Sequence, residues 1–216
     1  GIEYLIFKFR LNIYSEHFYK ISHNLLGLKE SKIEDITDIY SHAQALGQSS
    51  EFIKKNKFIE NVRADTAGSA KYVADLKDKS KAAIASTLSA EIYNMKILAT
   101  NIQDNKENFT RFLLMGKDII QPENKHGSYI TSFLFKLKSK PAALYSALQG
   151  MAINGVNMIK LQSFPEKNSF SSYFFLCEVE GHIEDQKIKN SLEDLNYHCE
   201  DMTVLGVFEA DKLRKK

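Results

Sequence analysis

Thr110 and Arg111 stand at the head of an apolar run, Phe112-Leu113-Leu114-Met115. Immediately before them lies a loop rich in acids and amides, Asn101-Ile102-Gln103-Asp104-Asn105-Lys106-Glu107-Asn108. A hydroxyl and a guanidinium at the mouth of a strand are groups that hold and protonate a small carboxylated substrate. Arg111 suits a bidentate grip on a carboxylate and a structural ion pair equally well, and spacing leaves both open. A second group is Ser41-His42-Ala43-Gln44-Ala45-Leu46-Gly47-Gln48. Ser41 and Gln44 fit the capping-box pattern, in which serine oxygen and glutamine amide satisfy early helix donors. Gln48 falls one turn beyond Gln44 on the same face. A serine and two glutamines then offer neutral hydrogen-bonding groups where the helix dipole favours an anion. His42 beside them reads as a surface or packing residue. The third group, Asp65-Thr66-Ala67-Gly68-Ser69-Ala70, reads as a strand end turning into a helix. Asp65 or Thr66 is its N-cap, and the same turn aims free N–H groups at a carboxylate.

These groups need elements to hold them, and the periodicity supplies them. In residues 20–116 strands and helices alternate, which predicts an α/β region with its ligand where strand ends meet helix N-termini. Strands are expected over 20–26, 62–64, 82–86 and 111–116, and helices over 33–39, 43–55 and 69–76. Residues 90–98 are helical or irregular. A polar, proline- and glycine-containing break at 117–128 separates a second region. There 130–137 alternates as a half-buried strand, Pro141 opens a helix that Asn154-Gly155 stops, and 156–162 and 171–179 are β-rich. Residues 184–195 are amphipathic and 203–208 form a last strand. The order β-α-β-β-α-β is the split ferredoxin-like pattern. An antiparallel sheet with both helices on one face leaves its other face and edges for a second copy.

With 216 residues, 44% of them hydrophobic, the chain can bury one or two cores, and its formal charge of +2 comes from mixed residues of both signs. That lacks the basic stripe of a nucleic-acid binder. Cys177 and Cys199 are far apart, lack metal-ligand spacing and read as reduced packing residues. No apolar run approaches the roughly 20 residues that span a bilayer. The first ten residues carry charges within an apolar run and no cleavage site follows, so a soluble, cytoplasmic protein is expected.

Taken together, the 41–48 segment, Asp65-Thr66-Ala67-Gly68 and Thr110-Arg111-Phe112 behind Asn101-Ile102-Gln103-Asp104 resemble the prephenate dehydratase family, over residues 12–209. The resemblance implies an α/β fold: a partial two-lobed, periplasmic-binding-protein-like catalytic domain over 1–119, then a ferredoxin-like βαββαβ ACT regulatory domain over 128–210. It assigns catalysis to Thr110 and substrate binding to Ser41, Gln44, Gln48, Thr66, Ala67, Gly68, Arg111 and Phe112. No metal or cofactor is implied. The reaction is loss of CO2 and water from prephenate, giving phenylpyruvate for phenylalanine synthesis, and its barrier lies in making hydroxide a tolerable leaving group. In the second domain Ala142, Ala143 and Leu144, with Gln162 and Ser163, match the positions of an allosteric phenylalanine site across a dimer interface. Ala142 stands where glycine is usual and Gln162 where glutamate is usual. The implied partners are prephenate, L-phenylalanine as effector, and further copies of the chain in a homodimer or tetramer, with neither nucleic acid nor membrane.

The family also begins with a Gly-Pro-Glu-Gly-Thr-Phe-type turn and a strand ending in Glu-Asn, which this sequence lacks. Residues 2–11 depart from the pattern too, so the first lobe is expected to be largely missing. A fragment, a lobe supplied by a second polypeptide and a decayed gene product are the three explanations. On that reading residues 111–116 are a central strand without neighbours. The alternative to an enzyme is an inactive remnant whose ACT domain binds an aromatic amino acid or only dimerises. A periplasmic-type binding protein fits the lobe architecture but neither the ACT module nor the absent export signal.

Overall fold

Alternating apolar and small residues build three sheets in the computed structural model, which describes residues 11–125, 127–166 and 172–215. In chain order the elements are β1 (Asn12–Lys20), β2 (Asn24–Gly27), a 3-10 turn (Ile33–Asp35), β3 (Asp38–His42), α1 (Ala43–Gly47), α2 (Ser50–Asn56), β4 (Ile59–Arg63) and α3 (Thr66–Leu76). Then come β5 (Lys81–Ala85), α4 (Thr87–Ile92), β6 (Lys96–Ala99), β7 (Phe109–Gly116), β8 (Tyr129–Leu137) and α5 (Ala143–Ile153). Last are β9 (Met158–Pro165), β10 (Tyr173–Glu180), α6 (Gln186–His198), β11 (Cys199–Glu209) and a 3-10 turn (Lys212–Lys215). Two compact units share the chain. One is Tyr19–Thr110; the other combines the chain up to Phe18 with the chain from Arg111 onward.

In the first unit the sheet order is β4-β3-β5-β2-β6. β3 runs parallel to both β4 and β5, and β2 antiparallel to β5 and β6. β5, Lys-Ala-Ala-Ile-Ala, is central and buried on both faces, which is why it reads as an unbroken apolar run. Ala82 and Ile84 join Leu25, Ile39 and Leu46 on one side; Ala83 and Ala85 join Leu26, Ala70 and Val73 on the other.

The expected elements are present with several corrections. The strand expected over 20–26 begins only at Asn24, after a break at 21–23, and Asn12–Lys20 forms a strand that the periodicity did not predict. A single helix over 43–55 does not form. It breaks at Gln48 and Ser49, where the Asp104 amide donates to the Gln48 carbonyl (2.7 Å). The Asp104 carboxylate then restarts a helix by accepting from Ser50 N, Ser50 Oγ and Glu51 N (3.0, 3.0 and 3.1 Å). The helix expected over 33–39 is only the 3-10 turn, because from Asp38 onward the backbone is claimed by two parallel neighbours. The Asp38 carboxylate there also takes the Lys81 ammonium at 2.6 Å. Residues 90–98 resolve into the end of α4 and the strand β6.

The second unit carries a sheet of order β11-β8-β10-β9, antiparallel throughout, with α5 and α6 on one face, a ferredoxin-like βαββαβ arrangement. Phe133, Phe135, Cys177 and Val179 pack under the helices with Ala147, Met151, Ile188 and Leu195. Burial in this apolar setting raises the thiols of Cys177 and Cys199, to about 12 and about 11, which keeps them protonated. The opposite face is not free, as the bare pattern suggested. Ile130, Leu134, Leu176, Leu205 and Phe208 pack there with Ile13, Leu113 and Met115, from β1 and β7. Nor is β7 without a neighbour: it pairs with β1 in a two-stranded sheet. No helix among the described residues is long and apolar enough to cross a membrane.

β1 lies so close on β11 that a Cβ at Gly206 would collide with the carbonyl of Ile13. Backbone cannot yield as a side-chain tip does, so Gly206→Ala is expected to cost about 1–3 kcal/mol by overpacking. Urea unfolding measures this; a loss below about 0.5 kcal/mol would show that β1 does not bear on this face.

Candidate active site

Four chain segments of the first unit meet around a cleft of about 370 Å³. Its walls come from the α1 region (His42, Gln44, Ala45, Gln48), from the β4–α3 turn (Ala64, Asp65, Thr66), and from Ile21, His23, Asn108, Phe109 and Thr110.

Gln48 is the node of this arrangement. Its backbone is pinned by Asp104 at the helix break. Its side-chain oxygen accepts from His23 Nε2 (2.9 Å) and from Asn108 Nδ2 (3.1 Å). With the carbonyl doubly engaged, the amide NH2 is left as a donor with no protein partner among the described residues. His23 is fixed in turn: its amide donates to Gln103 Oε1 (3.0 Å) and its carbonyl accepts from Ile102 N (2.9 Å). Asn108 is tied down where its carbonyl accepts from Ile21 N (2.8 Å). Thr110 follows two residues later, exposed, its hydroxyl without a protein partner among the described residues.

Two helix starts add polarity. At α1 the cap is His42, whose Nδ1 accepts from Gln44 N (3.2 Å), which places the neutral ring's proton on Nε2. At α3 the Asp65 carboxylate accepts from Gly68 N, and a Cβ on Gly68 would press on that carboxylate at 2.7 Å. The earliest N–H groups of a helix have no intrahelical partner, so those at Thr66 and Ala67 carry the dipole's positive end.

The structure thus gathers Gln44, Gln48, Thr66 and Thr110 of the residues picked out by sequence. Ala67 and Gly68 continue α3 behind Thr66 and do not line the cleft. Ser41 does not line it either. Strand alternation in β3 turns Ser41 inward, fully buried, and its hydroxyl donates to the Ile84 carbonyl (2.6 Å), so the expected capping box is not formed. Phe112 belongs to the second unit and is 55% exposed. Arg111 takes the structural alternative. Its Nε donates to Glu16 (2.6 Å) and its Nη1 to both oxygens of Glu178 (3.0 and 2.8 Å). His23 and Asn108 were missed. Neither lies in a capping or periodic pattern, and only the fold brings them to Gln48.

In the second unit Ala142, Ala143 and Leu144 line a cavity of about 390 Å³ with Lys136, Lys138, Lys140, Tyr173 and Phe175 among its other walls. Ala142 sits at φ 56°, in the left-handed region where glycine is favoured. Gln162 and Ser163 lie on the edge strand β9, paired with Leu176 and Phe175, and are not walls of that cavity. Among the described residues no cluster of three His, Cys, Asp or Glu is placed to hold a metal ion.

The family model for prephenate dehydratase matches residues 2–119, starting ten residues before the sequence motifs first rejoined the family pattern. The chain belongs to the prephenate dehydratase family. It is 36% identical over 206 residues to a bifunctional N-acyl-homoserine lactone acylase/prephenate dehydratase of Komagataeibacter europaeus, covering 95% of this chain and 73% of the relative. It is 37% identical to a prephenate dehydratase of Methanocaldococcus jannaschii, covering 94% and 74%. Among solved structures, a prephenate dehydratase from Arthrobacter aurescens in complex with L-Phe superposes with a TM-score of 0.84 at 26% identity, covering 93% of this chain and 66% of that one.

Glu16 gives the second unit a pH signature. Burial pushes its carboxyl up, but hydrogen bonds from Arg214 and the Asp211 amide, with the charges of Arg111 and Arg214, outweigh that and hold it below the ordinary 4.5. A lowered folded value means that its stabilisation is complete above about pH 4.5 and is lost as pH falls through the folded value. Acid unfolding followed by circular dichroism should therefore be less steep below pH 4.5 in Glu16→Gln, despite lower stability at pH 7. Equal steepness in both chains would contradict this assignment.

Proposed function

We propose that this chain acts in phenylalanine synthesis by converting prephenate to phenylpyruvate. In that reaction the ring carboxylate leaves as CO2, its bonding pair enters the ring, and the ring hydroxyl departs as water after taking up one proton. Aromatisation drives the step, so the protein's task is to support the departing oxygen and to hold the dianion.

The observation that carries this reading is the convergence of Thr110 and Gln48 on one cleft beside the N-terminus of α3. Thr110 offers an uncommitted hydroxyl as hydrogen-bond donor to the leaving oxygen. The amide NH2 of Gln48, oriented by His23 and Asn108, and the early N–H groups of α3 hold a carboxylate without adding a competing negative charge. Gln44 extends the same wall. Ser41 contributes through packing, fixing the end of β3 from which α1 departs. Phe112 is one residue further along the strand from Arg111, and its part in substrate binding rests on the family resemblance alone.

The ferredoxin-like unit, spanning 128–210, is read as an ACT module for L-phenylalanine, with Ala142, Ala143 and Leu144 at the ligand backbone. Gln162 and Ser163 on the free edge of β9 would complete the site where two copies meet, giving a homodimer or tetramer. The L-Phe bound to the Arthrobacter aurescens relative supports this reading.

Incubation with prephenate, with phenylpyruvate followed by absorbance, tests the proposal. Thr110→Val removes the hydroxyl at nearly constant volume and should lower kcat by about 10²–10⁴-fold. Gln48→Leu should raise KM by about tenfold or more, the loss of one hydrogen bond to a charged group. Wild-type turnover in Thr110→Val would end the assignment.

A further inference from the structure

Arg111 follows Thr110 directly in the chain, yet every charge it meets belongs to the protein. Nε and Nη1 are held by Glu16 and Glu178, whose side chains are 0% and 1% exposed. Arg214 approaches Glu16 from the C-terminal turn, Nε at 2.6 Å and Nη2 at 2.9 Å, and the Asp211 amide adds a third bond at 3.0 Å. Arg111 Nη2 is buried with no partner among the described residues. A buried N–H without a partner is costly, so the two carboxylates and not the guanidinium's own optimum set this rotamer.

The position of this cluster along the chain is specific. The backbone passes between the two compact units twice, after Phe18 and after Thr110. Glu16 lies two residues before the first passage and Arg111 immediately after the second. Glu178 lies on β10, whose alternating side chains divide between two faces. Phe175 packs on the helix side and also lines the cavity with Ala142, while Leu176 packs on the opposite side, the side of Glu178. A shift of β10 at its cavity end therefore bears on the carboxylate that holds Arg111.

We propose that Arg111 is a positioning residue: its guanidinium, bridging Glu16 through Nε and Glu178 through Nη1, sets the backbone that presents Thr110. The claim rests on the reading of Thr110 given above. It assigns Arg111 no contact with substrate, and it requires guanidinium geometry that a lysine cannot reproduce.

The test uses the full 216-residue chain with Glu178→Gln and Arg111→Lys, neither of which alters a cleft wall. Kinetics with prephenate are read beside the assigned amide resonance of Thr110. Glu178→Gln should lower kcat about tenfold and leave KM within about twofold, the mark of an interaction that matters only in the transition state. Arg111→Lys should do the same, and the double variant should be no worse than either single, because both break one unit. Glu178→Asp, which keeps the charge on a shorter arm, should fall between. The Thr110 resonance should move in each variant. The proposal is overturned if Glu178→Gln leaves both kcat and the Thr110 resonance unchanged, or if Arg111→Lys raises KM alone. If the unaltered chain does not turn over prephenate, the functional reading fails, and the Thr110 resonance decides the positioning claim by itself.

Discussion

The break in the helix at Gln48 is the constraint on which the cleft depends. An uninterrupted helix would carry Gln48 through on a regular turn, with its carbonyl committed to the next one. Instead, Asp104 takes that carbonyl with its amide and restarts the chain at Ser50 and Glu51 with its carboxylate. One residue thus ends a helix, starts another and draws the loop from Asn101 to Asn108 against both. The same loop delivers Gln103 to His23 and Asn108 to Gln48, and then enters β7 at Phe109, one residue before Thr110. The bonds of His23, Gln103, Gln48 and Asn108 each satisfy a buried or half-buried polar group, which orients these side chains before any ligand arrives.

The electrostatics of the cleft suit its proposed work. Among the described residues no arginine or lysine lines it, and the carboxylate of Asp65, its one acidic wall residue, is engaged in capping α3. Anion binding is left to neutral donors and to a helix start, which are worth more in a site that sheds water. The strong cations of the adjoining chain lie elsewhere: Arg111 and Arg214 face Glu16 and Glu178, where two positive and two negative charges offset one another. A buried pair of this kind stabilises little compared with an apolar replacement, but removal of one member is costly. Its value is geometric, because it holds β1, β7, β10 and the C-terminal turn at four defined points.

Much of this was legible in the residues. The βαββαβ order followed from alternation, Pro141 and Asn154-Gly155. The buried central strand showed in Ala-Ala-Ile-Ala, and the Asp65 cap in Asp-Thr-Ala-Gly. What failed were local readings overridden by distant groups. Ser41 satisfies a capping pattern but lies one residue too early, still in β3, where pairing with Val62 of β4 and the bond to the Ile84 carbonyl fix its direction. Periodicity carried a helix straight through Gln48, since nothing near residue 48 announces that Asp104 will arrive. His23 and Asn108 were invisible for the same reason, their partner being 25 and 60 residues away. Arg111 was undecidable from its neighbours, and its partners at 16 and 178 come from opposite ends of the chain.

The central claim is that the Gln48 amide and the start of α3 face the ligand in the same cleft as Thr110. Titration of the isotope-labelled chain with phenylpyruvate, the proposed product, tests this most directly by nuclear magnetic resonance. The account predicts that the Gln48 side-chain NH2 and the backbone amides of Thr66 and Thr110 move together along one binding curve. Binding that shifts other resonances and leaves these three in place would contradict it.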